Sequence, residues 1–314
     1  MLVYKEKQKM TSSIRDTTTL LILAAGMGSR YGSLKQIDPL GPGGHSLIEY
    51  IIYDAIRAGF TSFVFIVRPE IQHELEAYFS KRLPSHLPIR FVIQDLSDIP
   101  IPYTAPSNRK KPWGTSHAVF SAREHIHTPF AVVNCDDYYG TDAISQIYDF
   151  LQHPHPHQYA VCGYRLDTTL SSYGPVSRGV CSVDQKGYLE EITEHTRILK
   201  QDGNIESVDK DDMVRTRFQG NEIVSMNLFG FMPDFFPLVQ EHLNAFLKEH
   251  INLNTELYIP TIINAVLRSQ KISMKVIPIS QQWFGITYRE DREQAFKNLQ
   301  KMVHKGLYPL HLWR

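Results

Sequence analysis

Four short apolar runs, separated by stretches of helical periodicity, constrain this chain more than anything else in it. Leu20–Leu23, Phe63–Val67, Ile89–Ile93 and Phe130–Val133 are built largely from Leu, Ile, Val and Phe. Runs so short and so apolar read as strands, the first two of them buried. After the first of them, Leu47, Ile48, Ile51, Ile52, Ala55 and Ile56 recur at helical spacing, with Ser46 and Glu49 as a capping box and Gly59 closing the far end. Ile71–Phe79 and Thr115–Glu124 read as further helices. This alternation predicts a doubly wound, largely parallel sheet. Ligands of such sheets sit at the carboxyl ends of the strands, so the Ala24–Lys35 loop and the Asn134–Gly140 segment are expected on one rim.

The pattern then changes. Tyr159 to about Ile192 holds several short β-like segments, and Thr196–Asn221 is polar and charged and reads as a long loop or lid. Glu222–Met232 and Met274–Ile279 read as strands, and Asp234–Lys248, Ile259–Ser269 and Arg289–Val303 as helices. Residues 1–18 are polar and basic, with no apolar stretch of the kind a secretory signal carries, and read as an extension ahead of the first strand.

Composition narrows the function classes. With 33 Lys and Arg against 33 Asp and Glu, the chain has no formal net charge and gives no support to broad nucleic-acid or anionic-membrane binding. A hydrophobic share of 42% excludes wholesale disorder. The longest apolar run, Leu20–Ala25, is far short of the roughly 20 residues a membrane-spanning helix needs. Cys135, Cys162 and Cys181 are odd in number and widely spaced, which argues against a disulfide framework or a Cys-rich zinc site and fits a cytoplasmic protein.

The first strand enters Ala24-Ala25-Gly26-Met27-Gly28-Ser29-Arg30-Tyr31-Gly32-Ser33-Leu34-Lys35-Gln36. A strand followed by Gly-x-Gly suits phosphate binding by exposed backbone N–H groups. The dinucleotide fingerprint fails, because its third Gly would fall at Tyr31 and no acidic residue stands at the end of the second strand. A Walker A loop fails too, since no Gly-Lys-Ser/Thr follows. The distinctive content is Arg30 and Lys35, two cations that can face a polyphosphate cradled by the backbone.

This loop resembles the signature of the sugar-phosphate nucleotidylyltransferases, which join a nucleoside triphosphate to a sugar phosphate or similar phosphate and release pyrophosphate. Their usual form has Pro before the Lys, where this chain has Leu34. The resemblance implies that Ala24, Ala25, Gly26, Gly28 and Ser29 wrap the triphosphate while Arg30 and Lys35 neutralise it. Pro112-Trp113-Gly114-Thr115-Ser116-His117-Ala118 is similar to the family segment that packs on the base and opens a helix, and Gln94 matches a Gln that reads the base in several members. Gly114 and Thr115 are thereby implied in nucleotide binding. Val132-Val133-Asn134-Cys135-Asp136-Asp137 is similar to the strand-end segment that binds magnesium, with Asp136 the aligned ligand and Asp137 an assistant or a turn cap.

Farther along the resemblance is looser. Glu194 matches a Glu that holds sugar hydroxyls, but the Lys that usually follows is His195 here. Asn227 and Gly230 match an Asn-x-Gly sugar contact. Thr287 stands where relatives place a second metal ligand, although Thr287 and Glu290 also form a capping box for the last helix, and Asp291 is a weaker ligand candidate. The resemblance implies a Rossmann-like, three-layer α/β/α (GT-A-like) fold with a mixed, mostly parallel central sheet. It implies one domain over 19–314, with a nucleotide-binding half (19–140) and an acceptor-binding half (141–314). No trailing hexapeptide repeat follows, so no β-helix is expected.

The implied reaction is attack of a phosphate oxygen on the α-phosphorus of an NTP. The nucleophile is already anionic, which agrees with the absence of a recognisable Ser-His-Asp or Cys-His arrangement. Catalysis then reduces to alignment and charge neutralisation, each cation–phosphate contact at 4 Å supplying about 4 kcal/mol at an effective dielectric of about 20. Magnesium takes one or two carboxylates plus phosphate oxygens and water, which suits Asp136. The expected partners are an NTP, with UTP favoured from Gln94 and Gly114, and a phosphorylated small molecule, with neither nucleic acid nor membrane.

Other features read as structural. His153, His155 and His157 alternate with prolines and read as an exposed loop; Arg109-Lys110-Lys111 reads as solvated, with Lys111 a candidate triphosphate contact; Tyr103 and Trp113 either stack on a base or pack. Two rivals remain at this point: a cytidylyl- or guanylyltransferase acting on a non-sugar phosphate, and a catalytically silent regulatory subunit of the same fold.

Overall fold

The computed structural model describes residues 17–26, 35–153, 155–208, 213–251 and 254–313, with the backbone alone for Lys35. β1 (Thr19–Leu23), β2 (Ser62–Val67), β3 (Ile89–Ile93) and β4 (Phe130–Asn134) are parallel, in the order β3-β2-β1-β4. α1 (Leu47–Ala58), α2 (Pro69–Arg82) and α3 (Thr115–Ser121) cross between them. β1 is buried almost throughout, as its unbroken apolar run requires.

The second half continues the same sheet with antiparallel pairing. β11 (Ile223–Phe231) lies beside β4 and then divides its partners. Phe229 and Gly230 pair with β6 (Gln158–Arg165), while Ile223–Ser225 also pair with β7 (Val176–Val183). β12 (Ser273–Pro278) runs parallel to β6, and β8 (Leu189–Gln201), β9 (Asn204–Val208) and β10 (Val214–Phe218) follow β7 as an antiparallel ribbon. α4 (Thr141–Gln152), α5 (Phe235–His250), α6 (Ile259–Arg268) and α7 (Asp291–His304) complete the helices, and β5 (Asp137–Tyr138) pairs with β13 (Phe284–Gly285) as a small ribbon. The result is a mixed central sheet flanked by helices, the Rossmann-like α/β/α architecture expected. Among the described residues, no helix is long and apolar enough to cross a membrane.

One expectation is overturned. Much of Thr196–Asn221 is not a loop or lid: β8 runs on to Gln201, and β9 and β10 follow. The turn between β8 and β9 is Asp202-Gly203, with φ of 50° and 84°, the left-handed pair that closes a tight hairpin. Much of this ribbon is exposed, so its side chains carry no apolar alternation to announce it.

α1 begins as its capping box predicts, with the Ser46 N–H donating to Glu49 Oε2 at 2.8 Å. Glu49 does more than cap. It is fully buried and also accepts bonds from Tyr78 Oη at 2.8 Å, Arg82 Nε at 3.1 Å and Trp313 Nε1 at 3.1 Å. His45 Nε2 accepts the Leu312 N–H at 3.1 Å, so the His45 proton sits on Nδ1 and is donated to Glu49 at 2.8 Å. Burial pushes the Glu49 pKa up, but the bonds from His45, Ser46 and Tyr78 and the Arg82 charge outweigh it and hold the carboxyl at about 2.

Candidate active site

Register brings the rim together. Leu23 pairs with Ile66 on one side and Asn134 on the other, and Val67 pairs with Ile93. The pairing persists one residue beyond the strands: Ala24 N–H donates to Ile66 O at 2.8 Å and Gln94 N–H to Val67 O at 2.8 Å. Ala24, Gln94 and Asn134 therefore stand at the carboxyl ends of three strands of the parallel set, β1, β3 and β4. Ala24 and Ala25 are buried and Gly26 is exposed, so the amide of Ala24 is spent on the sheet before the phosphate loop begins. Gln36 is buried, and its Nε2 reaches back to Ala24 O at 3.1 Å and Gly26 O at 3.3 Å, pinning the loop entrance. The loop sequence alone gives Gln36 no role. Gly28, Ser29 and Arg30 lie outside the described residues, as does the side chain of Lys35.

Gln94 is 7% exposed and its carboxamide is oriented by its neighbours. Gly114 O lies 3.1 Å from Nε2, and a carbonyl can only accept, so the amide nitrogen faces it. His117 Nδ1 is 3.2 Å from the same nitrogen, and His117 Nε2 is 2.9 Å from Asp98 O. The imidazole is thus neutral with its proton on Nε2, in accord with the burial that lowers its pKa. Both N–H bonds of Gln94 are used, and its oxygen takes no partner among the described residues.

Gly114 is required by contact and conformation. Its φ is 104°, and a Cβ there would lie 2.4 Å from Leu257 O. Leu257 N donates to Trp113 O at 2.8 Å, Ser116 N to Leu257 O at 3.1 Å and Ile259 N to Thr115 Oγ1 at 3.1 Å. Thr115 thus ties this segment to the start of α6. Trp113 is wholly buried under the Arg109 guanidinium, which leaves it packing rather than offering a face to a base. Lys111 is paired with Glu256 at 2.6 Å.

A cavity of about 170 Å³ opens beyond the β4 end. Asn134, Asp136 and Asp137 line one side of it, and Arg178, Glu194 and Asn227 also line it. A register break in β11 between Ser225 and Phe229 puts Asn227 at φ 62°, and Ser225 Oγ accepts the Asn227 N–H at 3.1 Å. The bulge is what sets Asn227 at the cavity wall. Glu194 is accessible but recessed: the surrounding walls push its pKa up and the charge of Arg178 opposes this. Gly230 is elsewhere. A Cβ there would meet Ile147 Cδ1 at 2.9 Å, so it is where α4 seats on the sheet, not at the cavity.

The two adjacent aspartates differ. Asp137 is buried, and its Oδ2 accepts a bond from Asn134 Nδ2 at 2.8 Å, with the Tyr139 hydroxyl 3.4 Å away. Asp136 is half-buried, anchored through its backbone O to Ile286 N at 3.0 Å. Among the described residues, no group of three or more His, Cys, Asp or Glu is placed to hold a metal. One accessible and one held carboxylate form no closed cage, and that sparse set fits a magnesium ion that keeps waters and phosphate oxygens.

The start of the last helix differs from expectation. α7 begins at Asp291, and it is the Asp291 carboxylate, not Thr287 with Glu290, that closes the turn, accepting Thr287 N at 2.9 Å and Tyr288 N at 2.7 Å. Thr287 itself reaches the cavity wall. His153 and His157 go separate ways, one against Asp149 O at 3.0 Å and the other against Asp234 at 3.0 Å. The residue that sequence reasoning missed is Arg178. It had no motif around it, and the strand pairing of β7 with β8, which sets Arg178 opposite His195 and Gly179 opposite Glu194, is what brings it near Glu194.

Comparison with known proteins is consistent across the fold. No curated protein sequence matches the chain. Among solved structures, one of the inositol-1-phosphate CTP transferase from T. maritima superposes with a TM-score of 0.61 at 14% identity, covering 93% of this chain and 98% of that one. A structure from Bacillus anthracis with a provisional glucose-1-phosphate thymidylyltransferase name, in complex with a sucrose, gives a TM-score of 0.61 at 14% identity over 90% and 96%. HddC from Yersinia pseudotuberculosis, complexed with GMP-PN, gives 0.57 at 15% identity over 90% and 99%. At such identities these likenesses establish the fold alone. The family model described as nucleotidyl transferase matches residues 19–271, and on that match the chain belongs to this family and is a nucleotidyltransferase acting on a phosphate group.

Proposed function

We propose that the chain transfers a nucleoside monophosphate from an NTP, with UTP favoured, to a sugar 1-phosphate and releases pyrophosphate in a magnesium-dependent reaction. The observation that carries this reading is the single cavity in which Asp136, at the β4 end, meets Glu194 and Asn227. A polyphosphate chemistry on one side and a hydroxyl-binding pair on the other suit an acceptor with both phosphate and hydroxyl groups. An acceptor-phosphate oxygen bonds to the α-phosphorus, and the bond to the β-phosphate bridging oxygen breaks with its electron pair leaving on pyrophosphate. Arg30 and Lys35 are assigned to the polyphosphate, with Gly28 and Ser29 in its backbone cradle. Asp136 would hold the magnesium, with Asp137 bracing the segment. When bound, that ion supplies positive charge against the polyphosphate.

The base preference is supported by Gln94. With both amide hydrogens occupied, it offers only an acceptor oxygen, which suits the N3–H of uracil or thymine.

The test is a pyrophosphate-release panel of the NTPs against sugar 1-phosphates and polyol phosphates. Metal-dependent release with UTP and a sugar 1-phosphate is expected, and Asp136→Ala should lower it by about 10²-fold or more. Release only with a polyol phosphate, or full activity in Asp136→Ala, would overturn the acceptor or metal assignment respectively.

A further inference from the structure

Arg178 is 8% exposed, yet it lines the cavity described above and the two that adjoin it. Its guanidinium is held in place by protein acceptors: Nε donates to Thr169 Oγ1 at 3.2 Å, one terminal nitrogen to Ser177 O at 2.7 Å, and the other to Thr169 O. The Trp283 ring covers it at 4.9 Å. A guanidinium has five N–H groups, and two of these take no partner among the described residues. Asp137, Glu194 and Asp291 act on it only from a distance, and none forms a contact ion pair with it. Burial lowers its pKa to about 10, so it stays charged at neutral pH.

Burying a cation without a contact anion is costly, and proteins rarely do so unless a ligand brings the charge. Here Thr169 and Ser177 fix the fork before any ligand arrives, which reduces what must be ordered on binding. Arg178 shares the lining of one cavity with Glu194 and Asn227, where the proposed acceptor sits.

We propose that Arg178 is the anion receptor of this cleft, taking two oxygens of the acceptor's phosphate with its two remaining N–H groups. A phosphate monoester has three non-bridging oxygens, so the fork leaves one for attack on the α-phosphorus. The inference rests on reading the cleft as the acceptor's. It makes Arg178 a residue that touches substrate and selects phosphorylated acceptors over neutral ones.

The test uses the full chain as wild type, Arg178→Met and Arg178→Lys, each checked for folding by circular dichroism and thermal melting. Two readouts are taken: inorganic phosphate titrated by isothermal calorimetry, and KM for acceptor and for NTP with the best pair from the panel. Arg178→Met is expected to weaken phosphate binding and raise the acceptor KM by about tenfold or more, with the NTP KM little changed. Arg178→Lys keeps the charge but not the fork, and should recover only part of the loss. Unchanged phosphate affinity and acceptor KM in a folded Arg178→Met, or a rise confined to the NTP KM, overturns the proposal. If Arg178→Met does not fold, an acceptor KM in Arg178→Lys equal to wild type overturns it instead. If the wild type turns over no acceptor phosphate, the proposed reaction fails by itself, and phosphate titration still decides the anion site.

Discussion

Single residues in this protein derive their chemistry from what fixes them. Gln94 illustrates it: a free Gln can present either end of its amide, but Gly114 O and His117 Nδ1 select the nitrogen end and leave the oxygen. Replacing Gln94 with Leu removes that oxygen and strands Gly114 O and His117 Nδ1. Leaving buried polar groups unpaired costs about 1–3 kcal/mol, so a lower melting temperature is expected. The functional effect should exceed the structural one. The ratio of kcat/KM for UTP over CTP should fall by about tenfold or more, because only the uracil edge presents an N3–H to the lost acceptor. A folded variant with the wild-type ratio would show that Gln94 does not read the base. Arg178 makes the same point from the other side. Its sequence neighbours announce nothing, because its surroundings come largely from Thr169, Trp283 and Glu194, which lie outside its own strand.

At the level of elements, the sheet's first half is legible and the straps that hold the site are not. Gly114 is the sharpest case. Its φ of 104° and the 2.4 Å from its would-be Cβ to Leu257 O leave no room for a side chain. Gly114→Ala must displace the Trp113–Thr115 turn from Leu257, breaking the Leu257 and Ser116 backbone bonds and detaching Thr115 from α6. A loss of about 2 kcal/mol or more in urea unfolding is expected, together with a weaker NTP affinity because Gln94 loses its carbonyl anchor. Wild-type stability in Gly114→Ala would mean that the 255–259 segment yields freely.

The sequence shows Gly114 in a motif but cannot show Leu257 behind it. β1, β2 and β4 are legible because burial on both faces leaves runs of apolar residues with no competing pattern, whereas β3 is an edge strand with Arg90 and Ile93 exposed and shows through its Ile, Phe and Val alone. The β8–β10 ribbon is not, because its exposed side chains need no such pattern, and its one plain signal, Asp202-Gly203, is only two residues long. The place of Asp136 just beyond a strand end is legible; that Asp137 is the more buried of the two is not, since it depends on Asn134 Nδ2 and on the close approach of Gly285 to Asp137 Oδ1.

For the whole molecule, two buried carboxylates on α1 set opposite pH dependences. Glu49 is held at about 2, below its unfolded value, so the folded state binds fewer protons than the unfolded state through the acid range. Its contribution is present above its ordinary pKa and is lost as the pH falls toward about 2. Asp54 is the reverse. Burial pushes its carboxyl up to about 7, against a 2.6 Å bond from Tyr308 and the charge of Arg57, and its Oδ1 has no partner among the described residues. The folded state then holds a proton that the unfolded state has released, and stability falls as pH rises from about 4 through about 7. Between them these groups place maximal stability on the acid side of neutrality. Replacing Asp54 with Asn removes the titration while its carbonyl can still accept from Tyr308. The wild type should therefore lose urea-unfolding free energy, by a few kcal/mol, between about pH 5 and about pH 8. Asp54→Asn should lose much less over the same interval and be the more stable protein at the upper end. Parallel pH profiles for the two proteins would show that Asp54 is ionised in the fold at neutral pH and that Arg57 and Tyr308 compensate its burial.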